Sequence, residues 1–127
     1  MKWRWLEADE LVAIHAELIA EFGGASGVRD RGLVESVAAR PKHLASYGAP
    51  TVFELAAAYA FGLARNHPFV DGNKRIALVG AFTFLELNGW EVRAEEAGAV
   101  LVFLDLAAGE VEEPDLAAWL EQNTVAL

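Results

Sequence analysis

Nine consecutive residues, His67-Pro68-Phe69-Val70-Asp71-Gly72-Asn73-Lys74-Arg75, bring together an imidazole, a carboxylate, an amide and two fixed cations. They stand directly before an apolar run that reads as a helix. A helix start carries unpaired backbone N–H groups and a partial positive charge, which suits a phosphate. Lys74 and Arg75 at that start oppose the usual preference for acidic residues there. An anionic ligand would resolve the conflict. The stretch therefore reads as a phosphate site with a proton acceptor beside it.

Each residue has a role in that reading. Pro68 and Gly72 exclude a regular helix through the motif, so His67 and Asp71 are not a simple i,i+4 pair. Phe69 is the apolar anchor that pins the loop to the core. His67 is the candidate base. Asp71 is the candidate Mg²⁺ ligand, since Mg²⁺ takes one or two carboxylates together with phosphate oxygens. Gly72 lets the backbone approach a ligand or adopt positive φ. The N–H groups from about Gly72 to Arg75 form the expected anion cradle. Asn73 would orient a phosphate or the metal shell, and Lys74 and Arg75 would offset phosphate charge.

A lone histidine is more often a hydrogen-bonded structural residue, but the neighbours of His67 favour chemistry. His15 falls on the inner face of the first helix and reads as a satisfied core or interface residue. His43 follows Pro41-Lys42 in an expected loop, without a chemical companion. Arg29-Asp30 reads as helix-start architecture. Other chemistries fit poorly: a Walker-A loop needs an earlier glycine and a Ser or Thr after its lysine, both missing around Lys74. His67 and Asp71 are too few for zinc, and no Gly-x-Ser-x-Gly elbow occurs.

The chain of 127 residues is long enough for one domain with a core, and 54% hydrophobic residues argue against disorder. Its apolar stretches are interrupted well short of the ~20 residues a membrane span needs. The N-terminus lacks the uninterrupted apolar segment of a secretory leader. With no cysteine, disulfides, thiolate metal sites and thiol nucleophiles are excluded, in keeping with an expected cytoplasmic location. A net charge of −9 argues against direct nucleic-acid or membrane binding. Arg65, Lys74 and Arg75 form the expected basic spot, sized for a small anion.

The elements around the motif read as helices. Asp9 to Phe22 places Leu11, His15, Leu18, Ile19 and Phe22 on one face and stops at Gly23-Gly24. Asp30 caps a second helix that ends before Pro41. Thr51-Val52-Phe53-Glu54 is a capping box for a third, alanine-rich helix reaching Ala64. Ile76 to Leu87 is apolar nearly all round and reads as the central helix. Trp90 to Arg93 alternates like a short strand. Ala97 to Ala108 stops at Gly109, and Pro114 opens a last helix with Leu116, Trp119 and Leu120 inward. The expected architecture is all-α, one domain over residues 1–127, about six helices around a buried one with the motif loop at its N-terminus.

The motif resembles the signature of the Fic/Doc family, in its Doc (death-on-curing) branch. Glu10-Leu11 through His15, Phe22-Gly23-Gly24, Gly27 to Asp30, Leu33 to Ser36, Arg40-Pro41 and Phe84 to Gly89 are similar to further Doc landmarks. Fic enzymes transfer AMP to a target hydroxyl, using glycine after the asparagine and a second arginine three residues past the first. Lys74 and Leu78 stand at those two positions here, as in Doc. The resemblance implies a protein kinase that uses ATP and Mg²⁺ to phosphorylate a threonine on elongation factor Tu, and a Phd-type antitoxin whose C-terminal segment covers the site. It implies His67 as base, Asp71 as metal ligand, and Gly72, Asn73, Lys74 and Arg75 as phosphate-binding residues. No Ser or Thr lies four residues before a glutamate in the manner of self-inhibiting Fic proteins.

Three hypotheses follow. The first is phosphoryl transfer from ATP to a protein hydroxyl. The second is AMP transfer, as in Fic. The third is a non-catalytic co-regulator that acts through its antitoxin.

Overall fold

The computed structural model describes residues 2–127. Six helices follow in order: α1 (Ala8–Phe22), α2 (Arg31–Tyr47), α3 (Val52–Asn66), α4 (Asn73–Leu87), α5 (Glu96–Ala108) and α6 (Glu113–Gln122). Two short strands, β1 (Trp90–Val92) and β2 (Thr124–Ala126), pair antiparallel with Trp90 opposite Ala126. The architecture is the all-α one expected. No helix among the described residues is long and apolar enough to cross a membrane.

Local signals start most helices. Thr51 accepts from the N–H of Glu54 and the Glu54 side chain accepts from the N–H of Thr51, closing the box that opens α3. Asp30 accepts from the N–H of Leu33 to start α2. Glu7 and Glu112 close similar boxes at α1 and α6. Gly109, at φ 84°, ends α5 in the left-handed cap that glycine tolerates.

The central position belongs to α3 rather than to α4. Eleven of the 15 residues of α3 are buried, against seven of 15 in α4. Its alanines, Ala56, Ala57, Ala60 and Ala64, let the neighbouring helices approach closely. Tyr59 is fully buried among them, and its hydroxyl donates to the carbonyl of Leu6 while accepting from the N–H of Leu6. Burial pushes that phenol well above its ordinary range. The apolar surface of α4 looks continuous in sequence because it packs on several neighbours at once, with Leu78, Val79 and Phe82 only partly covered.

Two further expectations are corrected. Helix α2 does not end before Pro41 but runs through it to Tyr47, which places His43 on an exposed helical turn. Proline in a helix interior forfeits one hydrogen bond and costs about 3 kcal/mol. Burial of Pro41 with Val34, Val37 and Ala38 offsets that cost, and ion pairs of Arg40 with Glu113 and Lys42 with Glu7 tie the same stretch to other elements. The strand at Trp90 was legible, but its partner Thr124–Ala126 was not.

Candidate active site

The motif spans the connection between the end of α3 and the start of α4, and long-range contacts hold it there. Phe69 is 1% exposed and its ring stacks on His15 of α1 at 3.9 Å between centroids. His15, buried as expected, donates from Nε2 to the carbonyl of Asp71 at 2.7 Å. That acceptor requires the proton on Nε2. The Gly23–Asp30 segment lies along the other side: Arg29 and Asp30 donate backbone N–H groups to the Pro68 carbonyl, and Val70 N–H donates to Gly27.

Asn73 departs from its expected role. It is 7% exposed, its Oδ1 accepts from the N–H of Phe69, and its Nδ2 donates to the Phe69 carbonyl, both at 3.0 Å. The amide therefore closes the loop on itself, which uses one of the two Nδ2 hydrogens. Arg65 departs too. Its Nε donates to the Leu106 carbonyl and its guanidinium lies 4.9 Å from the Phe61 ring, which ties it to the end of α5. The basic spot is thus Lys74 and Arg75 without Arg65.

What remains faces a cleft of about 570 Å³, bordered by residues 22–24 at the end of α1, by His67 and by residues 70–75. His67, Asp71, Lys74 and Arg75 are all exposed. Helix α4 begins at Gly72, in the left-handed conformation at φ 77°, with no side-chain cap. Its first internal bond runs from Ile76 N–H to Gly72. The N–H groups of Asn73, Lys74 and Arg75 have no acceptor among the described residues. The Gly72 N–H, expected in the cradle, is taken by Asp71 Oδ1 at 2.8 Å. Neither Lys74 nor Arg75 has an ion-pair partner among the described residues. Arg75 lies over the Phe22 ring at 4.7 Å, so Phe22, expected inward, stands 58% exposed at the cleft.

Asp71 is held in its ionised form. The N–H groups of Ala25 and Gly72 donate to its two oxygens, and these bonds keep its pKa below the ordinary aspartate value, with help from Arg75. Each oxygen keeps a lone pair for a cation. The described residues hold no group of three or more His, Asp or Glu that could cage a metal. One carboxylate beside open anion donors suits Mg²⁺ shared with phosphate oxygens, not a zinc or calcium site. Gly24 makes this placement possible: a Cβ there would come within 2.7 Å of Asp71 Oδ2, at a φ of 114° that side chains avoid. The Gly23-Gly24 pair had signalled only a helix stop in sequence. A similar cleft elsewhere, bordered by Leu44, Glu54, Ala57, Glu113 and Pro114, offers acids and no imidazole.

An exposed imidazole, an ionised carboxylate and three open amides under two unpaired cations can accept a proton beside a bound polyphosphate. The family model described as Fic/DOC matches residues 5–85, the stretch that contains all of these groups. The chain belongs to the Fic/DOC family. It is 35% identical over 120 residues to the protein kinase doc of Escherichia phage P1, covering 94% of each chain. It is 47% identical over 77 residues to the toxin Doc of Mycolicibacterium smegmatis, a match that spans 58% of each chain. These relatives place it in the Doc branch of the Fic/DOC family. Leu78, at the position of the second Fic arginine, is half-buried and borders an apolar groove.

Proposed function

We propose that this protein is a Doc-type toxin that transfers the γ-phosphate of ATP to a threonine hydroxyl of a protein, with elongation factor Tu as the expected target. The observation that carries the reading is the uncapped start of α4, where the Asn73, Lys74 and Arg75 amides open onto the same cleft as His67. The names of the two relatives, a protein kinase and a toxin, agree with it.

In this mechanism the triphosphate lies against the three amides, with Lys74 and Arg75 neutralising its charge. Unprotonated His67 takes the proton from the threonine hydroxyl as its oxygen bonds to the γ-phosphorus. The bond from that phosphorus to the β–γ bridging oxygen breaks, and ADP leaves with the electron pair. Asp71 would hold Mg²⁺, which supplies positive charge to the phosphate oxygens. Phosphoryl transfer depends chiefly on alignment and charge stabilisation, which fixed amides and cations provide without reorganising. Asn73, His15 and Phe69 act through the loop, holding it in place.

AMP transfer is the weaker reading, because Lys74 and Leu78 replace the glycine and second arginine of the Fic pattern. A Phd-type antitoxin is the partner this assignment implies. A groove of about 490 Å³ continues from Lys74 and Arg75 past Leu78, Val100 and Leu104, and would seat an apolar segment over the cleft. A pure co-regulator would have no use for open amides beside an exposed imidazole.

The decisive experiment is mass spectrometry of elongation factor Tu after incubation with this protein, Mg²⁺ and ATP, alongside α- and γ-labelled ATP. A phosphate increment on threonine, with label from the γ position, is expected. Label from the α position alone overturns the kinase assignment in favour of AMP transfer.

A further inference from the structure

His67 occupies a backbone conformation that a residue with a side chain rarely adopts. At φ 49° and ψ 58° it is the one non-glycine residue of positive φ among those described. Such a conformation persists where the surroundings impose it, and it decides where the imidazole stands. The contacts on the carbonyls around it come chiefly from one residue. Arg29 Nε donates to the His67 carbonyl at 2.6 Å and Nη2 donates to the Asn66 carbonyl at 2.9 Å. The backbone N–H of the same Arg29 donates to the Pro68 carbonyl at 2.9 Å. Three successive carbonyls, of residues 66, 67 and 68, are therefore held by Arg29 alone or in company with Asp30.

The chemistry of the side chain suits that task. A guanidinium is a planar fork that serves two acceptors at once, and its positive charge is favourable beside the unpaired carbonyls at the end of a helix. Arg29 has no ion-pair partner among the described residues and does not border the cleft of His67. Its charge is thus spent on the backbone of α3's last turn, away from the phosphate donors. We propose that Arg29 is a positioning residue for the catalytic base, locking His67 into the left-handed turn that presents its imidazole to the cleft. The catalytic consequence rests on the kinase reading above; the structural claim does not.

Two measurements on the full chain separate these. The first is transfer kinetics of wild type, Arg29→Ala and Arg29→Lys. The second is NMR of the His67 ring in the same proteins, with and without inorganic pyrophosphate. In Arg29→Ala, kcat is expected to fall roughly ten- to a hundredfold, the scale of a misplaced reacting group. KM for ATP should stay within about twofold, because the phosphate donors are untouched. The His67 ring signals should shift or broaden, while the Lys74 and Arg75 amides respond to pyrophosphate as in wild type. Arg29→Lys, with one donor group in place of the fork, should recover part of kcat and of the ring signal.

A raised KM at unchanged kcat would make Arg29 a phosphate-binding cation and overturn the proposal. So would His67 signals identical to wild type in Arg29→Ala. If the wild-type protein transfers no phosphate, the kinase reading fails by itself, and the ring signals still decide whether Arg29 holds His67. Should Arg29→Ala not fold, the Arg29→Lys comparison carries the same test.

Discussion

The starts of α3 and α4 solve the same problem in opposite ways. At α3, Thr51 and Glu54 satisfy each other's backbone N–H groups, and an acid sits in the first turn where the helix dipole favours it. At α4 there is no side-chain cap and no acid, and two cations occupy the first turn. Each cation there is unfavourable by about 0.3–1 kcal/mol. One start is closed by the protein's own atoms and contributes stability. The other is left open at a cost, which a bound anion would recover. Helix α2 is capped by Asp30, and α1 and α6 by glutamates, while α5 lacks a side-chain cap but keeps Glu96 in its first turn, so among the described helices α4 alone combines a missing cap with no acid and two cations.

Substitutions at the two starts test this contrast. The largest effect is expected beside the open one: His67→Ala should lose about 10²–10⁴-fold in transfer, the usual worth of a general base. Calorimetric titration should find its nucleotide binding retained. Full activity in that variant would remove the proposed base. Lys74→Glu gives α4 the acidic first turn that α3 has. ATP affinity should fall by at least about tenfold while the unfolding temperature holds or rises, since the dipole is now better matched. A joint loss of both would show that the cations support the fold instead.

At the closed start the pattern reverses. Thr51→Ala should cost about 1 kcal/mol, or roughly 4 °C in unfolding temperature, and leave kcat of the folded protein unchanged. A change in kcat there would break the division between the two helix starts.

The smallest effect concerns Asp71, whose carboxylate is stabilised by the N–H groups of Ala25 and Gly72. Because its pKa is lower folded than unfolded, its contribution is fully present above the unfolded value near pH 4. That contribution is lost as pH falls through the folded value. Asp71→Asn should therefore flatten the acid side of a plot of unfolding temperature against pH. Parallel curves for the two proteins would mean that the backbone bonds to Asp71 do not form in solution.

Features that depend on neighbours in sequence were legible in it. The Thr51–Glu54 box, the stop at Gly109, the opening of α6 at Pro114 and the burial of Phe69 all follow from residues within a turn of one another or from apolar spacing. Pro41 misled because its local preference for ending a helix was outweighed by burial in the core. Asn73 was assigned outward by the company it keeps, yet its amide length and position match the Phe69 backbone four residues earlier. The pairing of Thr124–Ala126 with Trp90–Val92, and the reach of Arg65 to Leu106, join segments that carry no local sign of each other.

The order of residue types alone determined that an imidazole, a carboxylate and two cations would gather at a helix start lacking its own acid, because spacing and helix chemistry are local. Only the tertiary structure decided which of those groups remain open to a ligand. The packing of α1 and the Gly23–Asp30 segment against the motif takes up the Asn66, His67, Pro68 and Asp71 carbonyls and the Asp71 carboxylate through residues distant in sequence. It leaves the Asn73, Lys74 and Arg75 amides without acceptors. A hydrogen bond to a remote partner exists only once the chain has folded, so no reading of neighbours could have assigned it.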